Sequence, residues 1–295
     1  MTYRVNDEAA FKELRQVPFI AWPTFLLLVF SFTTVAVVWY LCLTKQMPLW
    51  QGMIFNGIAM YLMFSPAHDS MHRALSSNER LNNFLLFLAA QPGAPGTAGR
   101  AFRILHMQHH RFANDHDQDP DHFIAANWKH AFTLWFVWDW WYLVHFIRHR
   151  EELPPAARRQ FYLDIACHYA ALGVLFWFLP WEAVFLWLIP TRFSAWMICF
   201  TFMFLPHVPH DTPTTQDPYK ATAIRKGWEW LLSPLLVGQN YHLVHHLYPT
   251  VPFYRYRAVW LARKDMHESK NPSVIPAFSL RPEGREKNSG EAAQA

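Results

Sequence analysis

Long apolar runs alternate with polar, histidine-rich segments along the chain, and this alternation predicts an integral membrane protein. Residues 17–43 and 49–67 are almost wholly apolar, and a short polar segment that ends at Pro48 separates them. An α-helix needs about 20 apolar residues to cross a bilayer. The two runs therefore predict a transmembrane hairpin.

A second pair of apolar runs, residues 161–179 and 183–205, predicts a second hairpin with a tight turn at residues 180–182. The runs at 81–90 and 228–237 are too short to span, and the first of them ends in a Pro/Gly-rich break at residues 91–96. The pattern predicts an all-α integral membrane protein with four transmembrane helices, interfacial helices and a cytoplasmic cap rich in histidine.

Residues 128–147 allow two interpretations. They are rich in Trp and Tyr but include Lys129 and Asp139, so they could form a further span or a helix at the membrane interface. Basic residues follow at Arg148, Arg150, Arg158 and Arg159. Basic loops face the cytoplasm, and an extra span would place these arginines outside. The interfacial helix is therefore favoured.

The domain organisation follows from the change in composition near residue 262. Residues 1–262 carry every apolar run and every histidine pair, without a linker, and are predicted to form one membrane-embedded domain. Residues 263–295 are polar and are predicted to form a loosely ordered tail. No small-residue cleavage site follows the first apolar run, so no removable signal peptide is expected.

Composition narrows the functional class. The net charge is only +4, which suits cytoplasmic loops better than nucleic-acid binding because no basic stripe with interleaved aromatics is present. The 3 cysteines lie apart inside apolar runs and match no zinc spacing. They are expected to be small buried hydrophobic residues.

Three histidine boxes carry the candidate chemistry: residues 68–72, 106–110 and 242–246. The second and third boxes have the pattern His-x-x-His-His, and the first has His-x-x-x-His. Residues three and four apart share one helix face, and neutral imidazole is the commonest metal ligand. Each box therefore predicts a face of metal ligands.

Eight imidazoles exceed what one metal needs, because a catalytic zinc takes three protein ligands and a water. The count predicts two metals. His207 and His210 follow the fourth predicted span, and one of them is a candidate ninth ligand, although Pro209 between them argues against a regular helix. Asp69, Asp211 and either Asp119 or Asp121 are expected to hydrogen-bond to ligand imidazoles.

The three boxes in this order, with Asp119-Pro120-Asp121 after the second, resemble the membrane-bound fatty acid desaturase and hydroxylase superfamily. The resemblance covers residues 17–260. It implies two non-haem iron ions that activate O₂ and attack an unactivated C–H bond of a long-chain lipid. It also implies these ligands: His68, His72, His106, His109, His110, His242, His245 and His246. The superfamily's further ligand falls on His207 or His210.

Two subfamilies remain open. The first box, Leu205-Pro206-His207 and the ending His246-Leu247-Tyr248-Pro249 are similar to bacterial carotenoid ketolases, but Arg73 stands where a small residue is expected. Acyl-lipid desaturases share Asp119-Pro120-Asp121 and Leu247-Tyr248-Pro249. A fatty acyl chain is the favoured substrate, and carotenoid ketolation or hydroxylation is the alternative.

Other classes fit less well. A zinc hydrolase with His-Glu-x-x-His is not indicated, since that motif is absent from the sequence. A membrane electron carrier that binds metal or haem remains the alternative from another class. The chain has no haem, flavin or iron–sulfur motif, so electrons must come from an external donor of the ferredoxin or cytochrome type. The expected location is a bacterial inner membrane, with the boxes facing the cytoplasm.

Overall fold

The computed structural model describes residues 4–90, 100–152 and 154–283 and is mostly helical. The predicted break at residues 91–96 lies outside the described residues. The first helices in chain order are α1 Glu8–Leu14, α2 Trp22–Leu43, α3 Leu49–Met71, α4 Glu79–Ala90, α5 Arg100–Phe112, α6 His122–Ala125, α7 Trp138–Arg148 and α8 Pro155–Phe178. They are followed by α9 Pro180–Ala183, α10 Ile189–Ile198, α11 Glu229–Leu235, α12 His242–Leu247, α13 Tyr256–Ala262 and α14 Lys264–Ser269.

Three helical stretches among the described residues are long and apolar enough to cross a membrane: Trp22–Leu43, Pro155–Phe178 and Pro180–Phe204. They correspond to the first, third and fourth predicted spans. The second predicted span forms α3, which has 23 residues. Its mean hydropathy is lower because polar side chains such as Asn56 and Ser65 lie on its face toward the protein, where they are fully buried.

Helix α3 is the centre of the helical bundle, and its glycines allow a close approach. A Cβ atom added to Gly52 would lie 2.6 Å from Cδ2 of Leu186 and 2.7 Å from Sγ of Cys42. These two neighbours belong to the stretch Pro180–Phe204 and to α2. The Asn56 side chain donates to the Leu186 carbonyl at 2.7 Å. Three helices therefore meet where only glycine fits.

The stretch Pro180–Phe204 is one continuous helical segment of α9, α10 and two π-helical turns, Val184–Leu188 and Cys199–Phe204. The predicted tight turn at residues 180–182 is wrong. The helix breaks at Leu179, whose φ is −136° and ψ is 60°, and Pro180 already belongs to the next helix. Proline is well suited to the first turn because its missing N–H has no helical acceptor there.

The aromatic segment 128–148 breaks into two short 3₁₀ turns, Trp128–Phe132 and Leu134–Phe136, followed by α7. At 1.5 Å per residue, the 11 residues of α7 cover about 16 Å, about half of a hydrocarbon core. The segment is therefore too short to be a further span, and its position at the membrane interface stays a prediction. The Trp138 indole donates to the Ala195 carbonyl at 2.9 Å, so the segment packs against Pro180–Phe204.

An ion pair adds to this packing. The guanidinium of Arg192, in the middle of Pro180–Phe204, donates to both carboxylate oxygens of Asp139 at 2.9 and 2.8 Å. The Asp139 side chain is only 1% exposed. The paired charges hold the aromatic segment against the long helix.

The all-α prediction is wrong in one respect, because strands β1 Ala223–Lys226 and β2 Ser273–Pro276 form a parallel pair. Strand β2 and helix α14 lie within the predicted tail. They are ordered because His267 and Ile275 are fully buried against the protein. Residues 284–295 lie outside the described residues, and the division at residue 262 stays a prediction.

Candidate metal centre

The three boxes lie on short or terminal helical segments at the same end of the bundle. His68 lies in the last turn of α3 and His72 caps it, the second box lies in α5, and α12 begins at His242. Asp69, next to the first box, accepts a hydrogen bond from Thr24 Oγ1 at 2.8 Å. This bond joins the end of α3 to the beginning of α2. The helical spacing of all three boxes is confirmed.

Five imidazoles from all three boxes form the first group. Their ligand atoms lie within 4.8 Å of one another: His68, His72, His106, His110 and His245. We name it the five-histidine group. The Nε2 atoms of His72 and His106 are 2.8 Å apart, as are those of His110 and His245.

Four imidazoles form the second group, with ligand atoms within the same 4.8 Å: His109, His207, His242 and His246. We name it the four-histidine group. The Nε2 atom of His242 is 3.1 Å from Nε2 of His207 and 3.1 Å from Nε2 of His246. The two groups are neighbours, since the rings of His110 and His246 stack at 4.1 Å between centroids.

The nitrogen spacing fits metal coordination. Two imidazole nitrogens that bind the same ion at about 2.1 Å, with a right angle at the ion, lie about 3.0 Å apart. Without an ion, each of these pairs would need one ring with its proton on Nε2, which would donate to Nε2 of the other ring. The first box gives a second indication, because His68 is 1% exposed and neither of its ring nitrogens has a hydrogen-bond partner among the described residues. Such buried polar atoms are rare without a ligand.

The protonation state also suits metal binding. Burial, together with the neighbouring imidazoles, lowers the pKa well below its ordinary value for His106, His110, His242, His245 and His246. These rings are therefore neutral at pH 7, and a neutral ring nitrogen is a ligand. The donor set is thus suited to two transition-metal ions.

His109 differs from the other imidazoles. Burial alone would lower its pKa, but the carboxylates of Asp119 and Asp121 outweigh burial and raise the pKa to about 9. Nδ1 of His109 lies 2.8 Å from Oδ1 of Asp119 and 3.5 Å from Oδ2 of Asp121. When the ring binds an ion through Nε2, Nδ1–H donates to Asp119. This orients the ring and makes it a stronger donor to metal.

The family model for fatty acid desaturases matches residues 44–275. The chain belongs to the fatty acid desaturase family. The match contains all three boxes and both histidine groups, so the family assignment and the geometry concern the same residues.

Curated relatives include desaturases and a ketolase. The dihydrorhizobitoxine desaturase of Bradyrhizobium elkanii is 30% identical over 67% of this chain and 61% of its own length. The beta-carotene ketolase of Paracoccus sp. (strain N81106 / MBIC 01143) is 27% identical over 69% of this chain and 74% of its own length. The sn-1 oleoyl-lipid 12-desaturase of Anabaena variabilis is 24% identical over 75% of this chain and 70% of its own length. The chain thus spans about three fifths of the first relative.

In this desaturase-family chain, His207 and His210 have different positions. His207 belongs to the four-histidine group, whereas His210 lies outside both groups. The backbone N–H of His210 donates to the His207 carbonyl at 2.7 Å, and its φ of 66° turns the chain sharply. Its ring packs on Phe204 at 5.6 Å instead.

The expected carboxylate partners are found in part. Asp119 and Asp121 contact His109 as described, and Tyr142 donates a short hydrogen bond to Asp121. Asp69 instead accepts from Thr24 and from the backbone N–H of Phe253, so it ties segments together rather than orienting a ring. Asp211 is exposed and accepts from the Thr212 hydroxyl.

Two partners of the imidazoles were missed by the sequence analysis. Nδ1 of His242 lies 2.5 Å from Oε1 of Gln239, and Nδ1 of His245 lies 2.9 Å from the Tyr256 hydroxyl. Gln239 precedes His242 by three residues, and this spacing could have indicated it. Tyr256 follows His245 by 11 residues, and no local pattern relates the two.

Proposed function

We propose that this protein is an O₂-dependent di-iron oxidoreductase that desaturates or hydroxylates an unactivated C–H position of a long-chain lipid, with a fatty acyl chain as the favoured substrate. One observation carries the proposal: nine buried or half-buried imidazoles form two adjacent groups at one end of an apolar helical bundle. The family assignment supports the reaction class.

The two groups would each hold one non-haem iron, through the five histidines of the first group and through His109, His207, His242 and His246 of the second. Bound iron would supply O₂ activation and the oxidising power to break a C–H bond. Desaturation consumes the two hydrogens of the substrate, O₂, two electrons and two protons, and it produces two waters. His210 lies outside both groups, so His207 is the better candidate for the ninth ligand.

The protein's own residues would orient the ligands and exclude water. Asp119, Gln239 and Tyr256 each contact Nδ1 of one imidazole, which leaves Nε2 for an ion. Phe64 and Phe202 pack beside the His68 ring at 6.0 and 5.3 Å. An alkyl chain has no polar group near its middle, so shape would select the reacting carbon.

We propose four spans, with α3 as the second, and histidine groups that face the cytoplasm of a bacterial inner membrane. Trp50, Ile54 and Ile58 of α3 are about half exposed, as expected for contact with lipid. The exposed residues Arg148, Arg150 and Arg159 lie between or at the ends of α7 and α8, and both helices contact α5, which carries the second box. This supports the cytoplasmic orientation by the positive-inside rule.

The electron donor is proposed to be an external ferredoxin or cytochrome. The basic loop 148–159 is one candidate docking face for this donor. In the structure, both Arg150 and Arg158 pair with Glu151, at 3.2 and 2.7 Å, and Arg148 lies over the Trp141 ring at 5.6 Å. Glu151 therefore offsets part of the positive charge that the loop offers to a partner.

The test combines metal analysis with lipid analysis. Purified protein should contain about two irons per chain without a haem absorption band, and membranes of expressing cells should contain new double bonds or hydroxyl groups in acyl chains. His109→Ala and His245→Ala should abolish the products, whereas the exposed His116→Ala should not. Zinc alone would contradict the proposal and favour a hydrolase, because zinc has no redox chemistry. Haem would contradict it too and would favour an electron carrier.

A carotenoid ketolase is the second candidate, because the Paracoccus ketolase matches 69% of this chain. Expression in cells that accumulate β-carotene separates the two candidates. Keto-carotenoids with unchanged acyl chains would favour the ketolase, and altered acyl chains with unchanged β-carotene would favour the acyl-lipid enzyme.

A further inference from the structure

A cavity outside the histidine groups lies between α11, the 3₁₀ turn Gln239–Tyr241 and the segment 253–257. Its volume is about 370 Å³, which is in the size range of small-molecule sites. It is lined by aromatic rings that include Trp230, Tyr241 and Tyr254, and by the polar side chains of Glu229, Ser233, Asn240 and Arg257.

Helix α11 places this cavity next to α3, a helix proposed to contact lipid. The Tyr61 hydroxyl, in the middle of α3, donates to the Leu235 carbonyl at the end of α11. Trp230 is 73% exposed and Leu235 is 57% exposed. Exposed tryptophan and leucine beside a membrane helix are typical of the interface between headgroups and acyl chains. A ligand of the cavity would therefore come from the lipid layer.

The lining offers charges of both signs. Glu229 can accept from a cation, and the neighbouring Trp230 and Tyr254 rings favour cations by their negative faces. Arg257, an exposed residue of the same lining, can donate to an anion such as phosphate. A ligand with one positive and one negative group fits this lining better than a hydrocarbon or a simple anion.

Asn240 indicates which kind of cationic group the cavity would bind. It is 1% exposed, and its Nδ2 donates to Ser233 Oγ at 3.1 Å. Its Oδ1 has no hydrogen-bond donor among the described residues. A buried acceptor without a donor favours a ligand that carries N–H or O–H groups. A primary ammonium supplies three N–H donors, whereas a quaternary ammonium supplies none.

We propose that this cavity binds the zwitterionic phosphoethanolamine headgroup of a membrane phospholipid, with the ammonium at Glu229 and Asn240 and the phosphate at Arg257. The inference rests on the proposed function, because it identifies the substrate as the acyl chain of an intact phospholipid. The wall residue Tyr256 contacts Nδ1 of His245 at 2.9 Å, so the headgroup site adjoins the five-histidine group.

The first experiment measures headgroup binding to the full-length protein in a non-ionic detergent by isothermal titration calorimetry. The probes are the water-soluble glycerophosphoethanolamine, glycerophosphocholine and glycerophosphoglycerol. We expect glycerophosphoethanolamine to bind at least about tenfold more tightly than the other two, as expected for charge-assisted hydrogen bonds that only it can make. Equal binding of the three probes, or no binding, would overturn the proposal.

The second experiment uses matched variants. Glu229→Gln and Arg257→Gln should each weaken binding of glycerophosphoethanolamine about tenfold or more. Glu151→Gln and Arg159→Gln make the same charge changes at exposed positions elsewhere and should leave binding unchanged. Iron content should be equal in all four variants. Unchanged affinity in both cavity variants would contradict the assignment.

The outcomes separate this inference from the proposed function. Binding is measured without turnover. If glycerophosphoethanolamine binds but expressing cells contain no oxidised lipids, the proposed reaction is disproved and the headgroup site is still supported. Conversely, if only free fatty acids are oxidised and glycerophosphoethanolamine does not bind selectively, the proposed reaction is supported and the headgroup site is disproved.

Discussion

Nδ1 of His109 lies 2.8 Å from Oδ1 of Asp119, and both side chains are almost fully buried. Asp119 also accepts from the backbone N–H groups of Asn114 and Asp121, at 2.8 and 2.9 Å. The carboxylate is therefore held in position by its own loop. It orients one imidazole of the four-histidine group from outside that group.

Asp119→Asn should weaken metal binding at the four-histidine group by about 10–100-fold, because the amide is a neutral and weaker acceptor for the imidazole N–H. Iron retained after dialysis against graded chelator concentrations measures the effect. Asp117→Asn is the matched control, since Asp117 lies in the same loop with a side chain 89% exposed. If both variants retain equal iron, Asp119 has no role in orienting His109.

His207→Ala should reduce the iron content from about two to about one per chain, while His210→Ala should retain both irons. The reason is position, because only His207 has a ring nitrogen in the four-histidine group. Iron and protein assays on the purified variants check this, with circular dichroism as the control for folding. Iron loss in the His210 variant with full retention in the His207 variant would reverse the assignment.

Breaking the Asp139–Arg192 pair should destabilise the protein strongly. Either Asp139→Asn or Arg192→Met leaves a charge without its partner in a mostly buried environment, at a cost of about 3–5 kcal/mol. The double variant should recover part of that loss. Reversible unfolding in mild detergent measures the free energies of unfolding.

The pair Arg158–Glu151 is the control for this prediction. Its Glu151 side chain is 72% exposed, and exposed pairs contribute about 0–1 kcal/mol. Arg158→Met should therefore change stability little. A similar loss of stability in Arg158→Met and Arg192→Met would show that the buried pair contributes no more than the exposed one.

His267 should make the protein less stable in acid. Burial lowers the pKa of His267, and the ring contacts the Tyr248 hydroxyl at 2.9 Å and stacks on Trp260 at 4.8 Å between centroids. The neutral form therefore stabilises the folded state at a pH above about 6.5, the ordinary histidine pKa. This contribution is lost as the pH falls, because the unfolded chain gains a proton first.

The comparison with His267→Gln isolates this effect. The stability difference between the original protein and the variant should be largest above about pH 6.5 and should shrink as the pH falls below that value. Thermal unfolding in detergent across this range measures it. Parallel stability curves for the two proteins would contradict the prediction.

Much of the architecture could be predicted from local patterns. The apolar runs indicated the helices now seen as α2, α3, α8 and Pro180–Phe204, because a long apolar run has few other stable forms in a membrane. The box spacing indicated helical ligand faces, because residues three and four apart share a face in any α-helix. The family resemblance followed from the order of the boxes, and the family assignment confirms it.

The tertiary structure decided what depends on docking between segments. Ring nitrogens of all three boxes meet in the five-histidine group, whereas His109 and His110, adjacent in sequence, belong to different groups. Arg192 pairs with Asp139, 53 residues away, and His245 contacts Tyr256 across a turn. Periodicity determines which side chains share a helix face. Which faces meet is determined by how the helices pack, and one sequence carries no local signal for that.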